Sequence, residues 1–307
     1  MEIVSGWVYG RGMTVSDHTT VRPGGTALLG NRRVARVGYG AMQLESSRIS
    51  DADGVALLRR AVELGVDHVD TAEFYGDGHV NRLLRLALHP YDDLTVVTKV
   101  GAARDSDGGL GPAQKPDELR TQVEDNLRSL GVERLDVVNL RRLDAKPGII
   151  ASGDQVVPLD DQLAELVALR DGGLVGAIGL SSVDVTQLAA SLPADPVCVQ
   201  NTSSVLDRSA DDVLALCRAN DVAWVPYCPL GSAFPSRPHV NDDPVVRAVA
   251  EELGTTPSQV ALAWVLARYD ATLLIPGTTN VRHLEDNVTA GGLVLTDQAI
   301  DRLDVLG

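Results

Sequence analysis

Short runs rich in β-branched residues alternate with longer stretches of helical period along most of this chain, and no other feature restricts its fold as much. A parallel strand reaches its neighbour only through a crossover long enough to hold a helix, so repeated strand–helix pairs build a parallel sheet. Eight runs read as strands: Val34 to Gly38, Val66 to Asp70, Leu94 to Val100, Leu135 to Leu140, Val175 to Leu180, Val197 to Gln200, Val222 to Tyr227 and Thr272 to Pro276. Helical patterns between and after them include Asp53 to Leu64, Pro116 to Leu130, Asp161 to Arg170, Val185 to Leu192, Ala210 to Ala219, Pro244 to Leu253 and Pro257 to Arg268. The last opens with Thr256-Pro257-Ser258-Gln259, a capping-box spacing with proline at the first helical position.

Eight such pairs fit an α/β fold of the (β/α)8 TIM barrel type better than an open sheet. A doubly wound nucleotide fold would want a GxGxxG turn after its first strand, and here Gly38-Tyr39-Gly40 is followed by Ala41, Met42 and Gln43. Before the first barrel strand, TALLGNRRVARV reads as an N-terminal β-hairpin turning at Gly30-Asn31 and closing the bottom of the barrel.

Residues 25–307 are expected to form this single domain. Residues 1–24, rich in Gly, Ser and Thr without periodicity, are expected to be disordered, with Met13 a candidate start. Hydrophobic residues make up 44% and aromatics only 4%, so aliphatic side chains must fill the core. A net charge of −15 argues against a nucleic-acid partner or an anionic membrane surface, and any anionic cofactor needs a local cationic patch. Cys198, Cys217 and Cys228 have neither metal-like nor CxxC spacing, which fits reduced thiols in a cytoplasmic protein. No apolar run approaches the roughly 20 residues that span a bilayer. The six histidines lack paired spacing, so no metal is expected, and no GxSxG or P-loop motif occurs.

In this barrel class the chemistry gathers where strands end at their C-terminal edges. Lys99, one of three lysines, lies near the end of the third strand, inside the apolar run LTVVTKV. A buried ammonium costs several kcal/mol unless paired, so it asks for a carboxylate or a phenol beside it. Asp70 ends the second strand and Tyr75 follows in the loop. A lysine beside a tyrosine favours the phenolate and lowers its pKa, while an aspartate holds the lysine, so the three together make a tuned acid. The structural alternative is a buried Asp–Lys pair with a core tyrosine nearby. Arg141 follows the fourth strand, Ser181 and Ser182 end the fifth, Gln200 the sixth and Tyr227 the seventh, and Gly277 and Thr278 follow the eighth.

The motifs GYGAMQL, HVDTAEFYG, LTVVTKVG, LDVVNLR, GAIGLSS, VQN, VPYCPLG and IPGTTNVRHLEDN, spread from about Thr26 to the C-terminus, resemble those of the aldo-keto reductases, most of all the bacterial pyridoxal reductase branch. The resemblance implies an NADPH-linked carbonyl reduction in which Asp70, Tyr75 and Lys99 take the family's catalytic roles. Arg141 stands where most members have histidine, a departure the pyridoxal reductase branch shares. A guanidinium stays charged and only donates hydrogen bonds, yet it can orient a carbonyl and stabilise a developing oxyanion. The alternative for Arg141 is a salt bridge to Asp144 or another loop carboxylate.

By the same resemblance Ser181 and Gln200 match the carboxamide-binding Ser and Gln, Ser182 replaces the usual Asn, and Tyr227 matches the aromatic residue under the nicotinamide. Leu230, Gly231 and Ser232 fall where the pyrophosphate passes. Thr278, Arg282 and His283 fall near the 2′-phosphate, with Asp286 and Asn287 near adenine. Many relatives carry lysine where this chain has Gly277, which leaves Arg282 as the phosphate partner, its alternative being a solvated charge at a helix start. Tyr39, Met42, Phe74, Arg142 and the Phe234 loop are the expected pocket walls. The expected function is reduction of an aldehyde, with pyridoxal the preferred substrate. The alternatives are a ketoreductase acting on a sugar or secondary metabolite, and a cofactor-binding regulatory subunit.

Overall fold

A computed structural model describes residues 22–105, 107–144, 149–231 and 238–307. The expectation of disorder for the N-terminus therefore lies, up to residue 21, outside the described residues. A hairpin of β1 (Thr26–Leu29) and β2 (Arg32–Ala35) comes first. Then follow β3 (Tyr39–Gly40), α1 (Asp51–Glu63), β4 (His68–Asp70), α2 (His79–Leu88) and β5 (Thr95–Val100). A second hairpin, β6 (Ala102–Arg104) with β7 (Leu110–Pro112), precedes α3 (Pro116–Leu130), β8 (Leu135–Arg141), α4 (Leu159–Asp171) and β9 (Val175–Ser181). The rest is α5 (Val185–Ser191), β10 (Cys198–Gln200), α6 (Asp211–Ala219), β11 (Ala223–Trp224), α7 (Pro244–Leu253), α8 (Pro257–Ala267), α9 (Val281–Thr289) and α10 (Asp297–Asp304).

Seven strands form one curled parallel sheet in the order β3-β4-β5-β8-β9-β10-β11, flanked by helices. The expected eighth strand, Thr272 to Pro276, makes no ladder. Instead Thr272 bridges Trp224 on one edge of the sheet and Leu274 bridges Val37 beside the other, both in parallel sense. The segment thus touches both edges, and Pro276, without an N–H, cannot extend the pairing. The expected first strand, Val34 to Gly38, is divided: Val34 and Ala35 belong to the hairpin, and sheet pairing resumes at Tyr39. The β6–β7 hairpin was not foreseen, because its Asp- and Gly-rich turn reads as loop.

Pleat alternation sorts the side chains onto two faces. On β5 and β8, Val96, Val100, Val138 and Leu140 pack outward with the helices. Val97 and Val137 point inward, where they join Cys198, Ala223, Val225 and Leu273 and meet Ala27, Leu29 and Val34 of the first hairpin. Lys99 shares its face with Val97, and Arg141 shares its face with Val137 and Asn139. The interior is tight enough to demand glycine: a Cβ at Gly179 would sit 1.9 Å from Asn139 Oδ1.

The outer layer carries its own polar devices. The capping box of α8 forms as expected: Thr256 Oγ1 accepts from the Gln259 N–H at 3.2 Å and Gln259 Oε1 from the Thr256 N–H at 3.1 Å. A buried amide chain ties α3 and α4 to the strand ends. Gln122 Oε1 accepts from the Gly101 N–H at 2.7 Å, Gln114 Nε2 donates to the Arg141 carbonyl at 2.9 Å, and Gln162 Nε2 donates to the Gln114 carbonyl at 2.7 Å. Among the described residues no helix is long and apolar enough to cross a membrane.

His68, at the start of β4, is fully enclosed, and its ring fills the space a Cβ on Gly38 would take, 2.2 Å from Nε2. Burial pushes its pKa down to about 4. The unfolded chain protonates this ring near pH ~6.5 while the folded chain does not, so its contribution is complete above that pH and lost as the pH falls. Urea denaturation should show about 3 kcal/mol less stability at pH ~4 than at pH ~7 from this group, and His68→Asn should remove that part of the slope.

Candidate active site

The inward face of the sheet ends, at the C-terminal edges of its strands, in a compact polar cluster. Asp70 is the last residue of β4, Lys99 the penultimate residue of β5, and Gln200 the last residue of β10. Lys99 Nζ donates to Asp70 Oδ1 and, at 2.9 Å, to the Thr71 carbonyl, while Gln200 Nε2 donates to Asp70 Oδ2 at 2.5 Å. Both carboxylate oxygens are therefore engaged, one by a donor from the adjacent β5 and the other by a donor from β10 across the sheet. Tyr75 lies 7% exposed with its ring centroid 5.0 Å from Lys99 Nζ, and the Phe74 ring meets it edge-on at 5.3 Å.

The loop that delivers Tyr75 is held by contacts the sequence did not reveal. Gly76 and Gly78 take the positive φ angles of a tight turn, +63° and +71°. Arg104 of β6 donates from Nε to the Phe74 carbonyl at 2.9 Å and pairs with Glu45 at 2.7 Å. Glu45 in turn accepts from the Gly76 N–H at 3.0 Å. The only signal in the sequence was the isolated opposite charges of Glu45 and Arg104, far apart in a chain full of both.

Electrostatics at the cluster differ from the expected direction for the phenol. Burial pushes the Tyr75 pKa up by more than the Lys99 charge pulls it down, with Asp70 adding to the rise, and the net shift is upward. Burial would likewise depress Lys99, but Asp70 and Tyr75 more than offset it, and its pKa is raised. At neutral pH the cluster therefore holds a full ammonium and a protonated phenol. Such a phenol can donate a hydrogen bond to a carbonyl oxygen and surrender its proton once an alkoxide, a far stronger base, develops there.

Arg141 ends β8 on the inward face, opposite Ser181, and its charge acts on Tyr75. Asp144, its expected alternative partner, is taken by Arg142 and by Gln187 Nε2, the latter at 2.6 Å. Arg142 is thereby removed from the expected pocket: it points outward, 8% exposed, and also donates to Gln162 at 2.5 Å and to the Val157 carbonyl at 3.1 Å. Tyr39 is likewise no pocket wall, since it is wholly buried among the outer core residues with its hydroxyl donating to the Thr278 carbonyl at 2.7 Å. Phe74 is 2% exposed and supports Tyr75, whereas Met42 is 44% exposed near the mouth. Phe234 and Ser232 lie outside the described residues.

Around this cluster, Ser181 is buried and paired in register with Gln200, whose Oε1 is buried without a partner. Ser182 has φ +59° and its hydroxyl lies 3.3 Å from that of Tyr227. Gly231 also needs its freedom, with φ +89° and the Pro238 carbonyl 2.4 Å from where a Cβ would stand. Its N–H, next to Leu230, donates to the Cys228 carbonyl at 3.0 Å and so is committed within its own turn. Arg282 and His283 are exposed on the first turn of α9, whose cap is Asn280, with Asp286 half-buried and Asn287 buried further along.

With this geometry in place, comparison with known proteins is specific. Residues 36–307 match the model of the aldo/keto reductase family. The chain is 42% identical over 286 residues to the pyridoxine 4-dehydrogenase of Escherichia coli (strain K12), spanning 91% of this chain and 97% of that one. It is 36% identical over 289 residues to an uncharacterized oxidoreductase of Schizosaccharomyces pombe, spanning 92% and 90%. Among solved structures, a thermostable aldo-keto reductase in complex with the inhibitor epalrestat superposes with a TM-score of 0.77 at 26% identity, over 92% of this chain and 99% of that one. The aldo/keto reductase of Klebsiella pneumoniae in complex with NADP and acetate gives 0.76 at 25%, over 93% and 94%. The fold, the polar cluster and these likenesses together define an α/β oxidoreductase. It belongs to the aldo/keto reductase family.

Because Lys99 and Asp70 are both buried, removing one partner strands the other charge. Asp70→Asn should lower stability by about 3 to 5 kcal/mol, read as a shift in the urea midpoint, and Lys99→Met in the same chain should restore much of it.

Proposed function

We propose that this protein reduces an aromatic aldehyde of the pyridoxal type to its alcohol at the expense of NADPH, with Tyr75 as the acid. The observation that carries the reading is the cluster itself: a protonated phenol beside an ammonium whose carboxylate partner is saturated. The 42% identity to a protein named pyridoxine 4-dehydrogenase supports the substrate class. Segment 272–276, touching both edges of the sheet, is read as the eighth stave of a closed (β/α)8 barrel whose floor is the β1–β2 hairpin. Residues 25–307 are then one domain. The buried thiols of Cys198 and Cys217 are consistent with a cytoplasmic setting.

The residues present fit the cofactor. Gln200 Oε1, buried and unpartnered, is placed to accept from a carboxamide N–H, with Ser181 beside it as a donor and Tyr227 as the stacking face. Thr278, Arg282 and His283 would face a 2′-phosphate, with Asp286 and Asn287 near the adenine and Leu230 and Gly231 along the pyrophosphate. A lysine at position 277 is refused by the fold, because a Cβ on Gly277 would stand 2.5 Å from the Gly40 carbonyl. Discrimination for the phosphate therefore falls to Arg282.

When held by these residues, NADPH would supply a hydride to the carbonyl carbon. As the carbonyl electron pair moves onto oxygen, Tyr75 delivers its proton there and the alcohol is complete. Lys99 then faces the phenolate and holds its charge until water returns the proton, while Asp70 fixes the ammonium in place.

Turnover is checked by following NADPH absorbance against a carbonyl panel that includes pyridoxal. Tyr75→Phe should lower kcat by about 100- to 10,000-fold with NADPH affinity little changed, since it removes the acid and little else. Retention of turnover would reject Tyr75. Arg282→Ala should raise KM for NADPH far more than KM for NADH, and an equal effect on both would reject its assignment.

A further inference from the structure

The charges at the mouth of the sheet do not balance. Asp70 is matched by Lys99 and also bonded by Gln200, and Tyr75 is neutral. Arg141 is the remaining cation, and among the described residues no carboxylate lies within ion-pair distance of its guanidinium. Asp144, two residues beyond its neighbour, is bonded through Oδ2 by Arg142 and Gln187 and forms no ion pair with Arg141. The Arg141 Nε is buried and makes no hydrogen bond. A buried guanidinium nitrogen without a partner is costly, while the residue as a whole is only half-buried at the mouth of the sheet. The site is thus built with one uncompensated positive charge in a protein of net charge −15.

Placement narrows what that charge is for. Arg141 stands two residues beyond Asn139 on the same face, and Asn139 is the register partner of Lys99. The guanidinium is close enough to Tyr75 for its charge to act on the phenol. A neutral carbonyl oxygen needs only a hydrogen-bond donor, which Tyr75 already provides. A permanently charged, planar fork is suited to two oxygens side by side, at least one of them anionic.

We propose that Arg141 is a subsite for an oxyanion fixed beside the reacting carbonyl, and that the preferred substrates are aryl aldehydes with an ionised hydroxyl ortho to the aldehyde. The inference rests on the carbonyl-reductase reading above and assigns the residue that recognises the hydroxyl which an aldehyde of the pyridoxal type carries beside its carbonyl. In such a substrate the aldehyde can turn its oxygen to the side of the phenolate oxygen, and one guanidinium spanning both offsets their repulsion. The phenolate satisfies Arg141, and in doing so turns the aldehyde oxygen toward Tyr75. A 2-oxo acid also places an anionic oxygen beside a carbonyl, and the experiment separates the two.

The measurement is kcat/KM for 2-hydroxybenzaldehyde, 4-hydroxybenzaldehyde, benzaldehyde and phenylglyoxylate at one pH where both hydroxy isomers are substantially ionised. The two hydroxy isomers donate electrons to the aldehyde alike, so their ratio reports position and not reactivity. The ortho isomer should be preferred about tenfold or more, the worth of one charge-assisted hydrogen bond. Arg141→Gln should bring the ratio close to one, whatever it does to absolute rates. Equal kcat/KM for the two isomers in the wild-type enzyme, or a preference that Arg141→Gln leaves unmoved, overturns the subsite while benzaldehyde turnover leaves the reductase reading standing. Phenylglyoxylate favoured over 2-hydroxybenzaldehyde overturns the phenolate assignment. Failure to reduce any aldehyde overturns the reductase reading and the subsite together. The wild-type isomer ratio needs no variant, so a poorly folding Arg141→Gln does not rescue the proposal.

Discussion

The ion pair between Lys99 and Asp70 is the interaction on which the rest of the site depends. An ammonium on the inward face of an aliphatic sheet is tolerable only with its charge matched and its protons accepted, and here a carboxylate and the Thr71 carbonyl do both. That requirement fixes the relative height of β4 and β5 and draws Gln200 in from β10 across the sheet. Three strands are thereby held in register at the level where Tyr75 arrives. The pair is less a source of net stability than a gauge of position, since charges this buried lose in desolvation much of what they gain from each other.

Burial sets the character of the phenol more strongly than its charged neighbours do. From the sequence, a lysine beside a tyrosine argues for a lowered pKa, because proximity to a charge is the one effect residue identity reveals. Enclosure by Phe74 and the loop walls is a property of the folded shape, and it wins. The consequence is a phenol that keeps its proton at neutral pH.

The alternation of strands and helices, the first hairpin and the α8 cap were legible in the residues, because each follows from local pattern: β-branched runs, Gly30-Asn31, and Thr256 with Gln259. Asp70, Tyr75 and Lys99 were legible because polar residues at consecutive strand ends have few other reasons to be there. Less accessible were features that depend on contacts between distant segments. Arg141 and Arg142 are adjacent and chemically alike, yet the pleat sends one inward and binds the other to Asp144 outside. Tyr39 looked like a pocket residue until its place in the alternation put it on the helix side. Glu45 and Arg104, which brace the Tyr75 loop, carried no pattern to distinguish them from other surface charges.

The glutamine chain through Gln114, Gln122 and Gln162 has a consequence for how such an enzyme changes over time. It anchors Gly101 and Arg141 to α3 and α4 from behind, through amides committed to the backbone and to one another. Segments that rise beyond those anchors can lengthen, shorten or exchange residues while the reactive groups beneath keep their spacing. On the proposed reading, a new diet of aldehydes can then be acquired at the rim by a lineage whose phenol has never had to move.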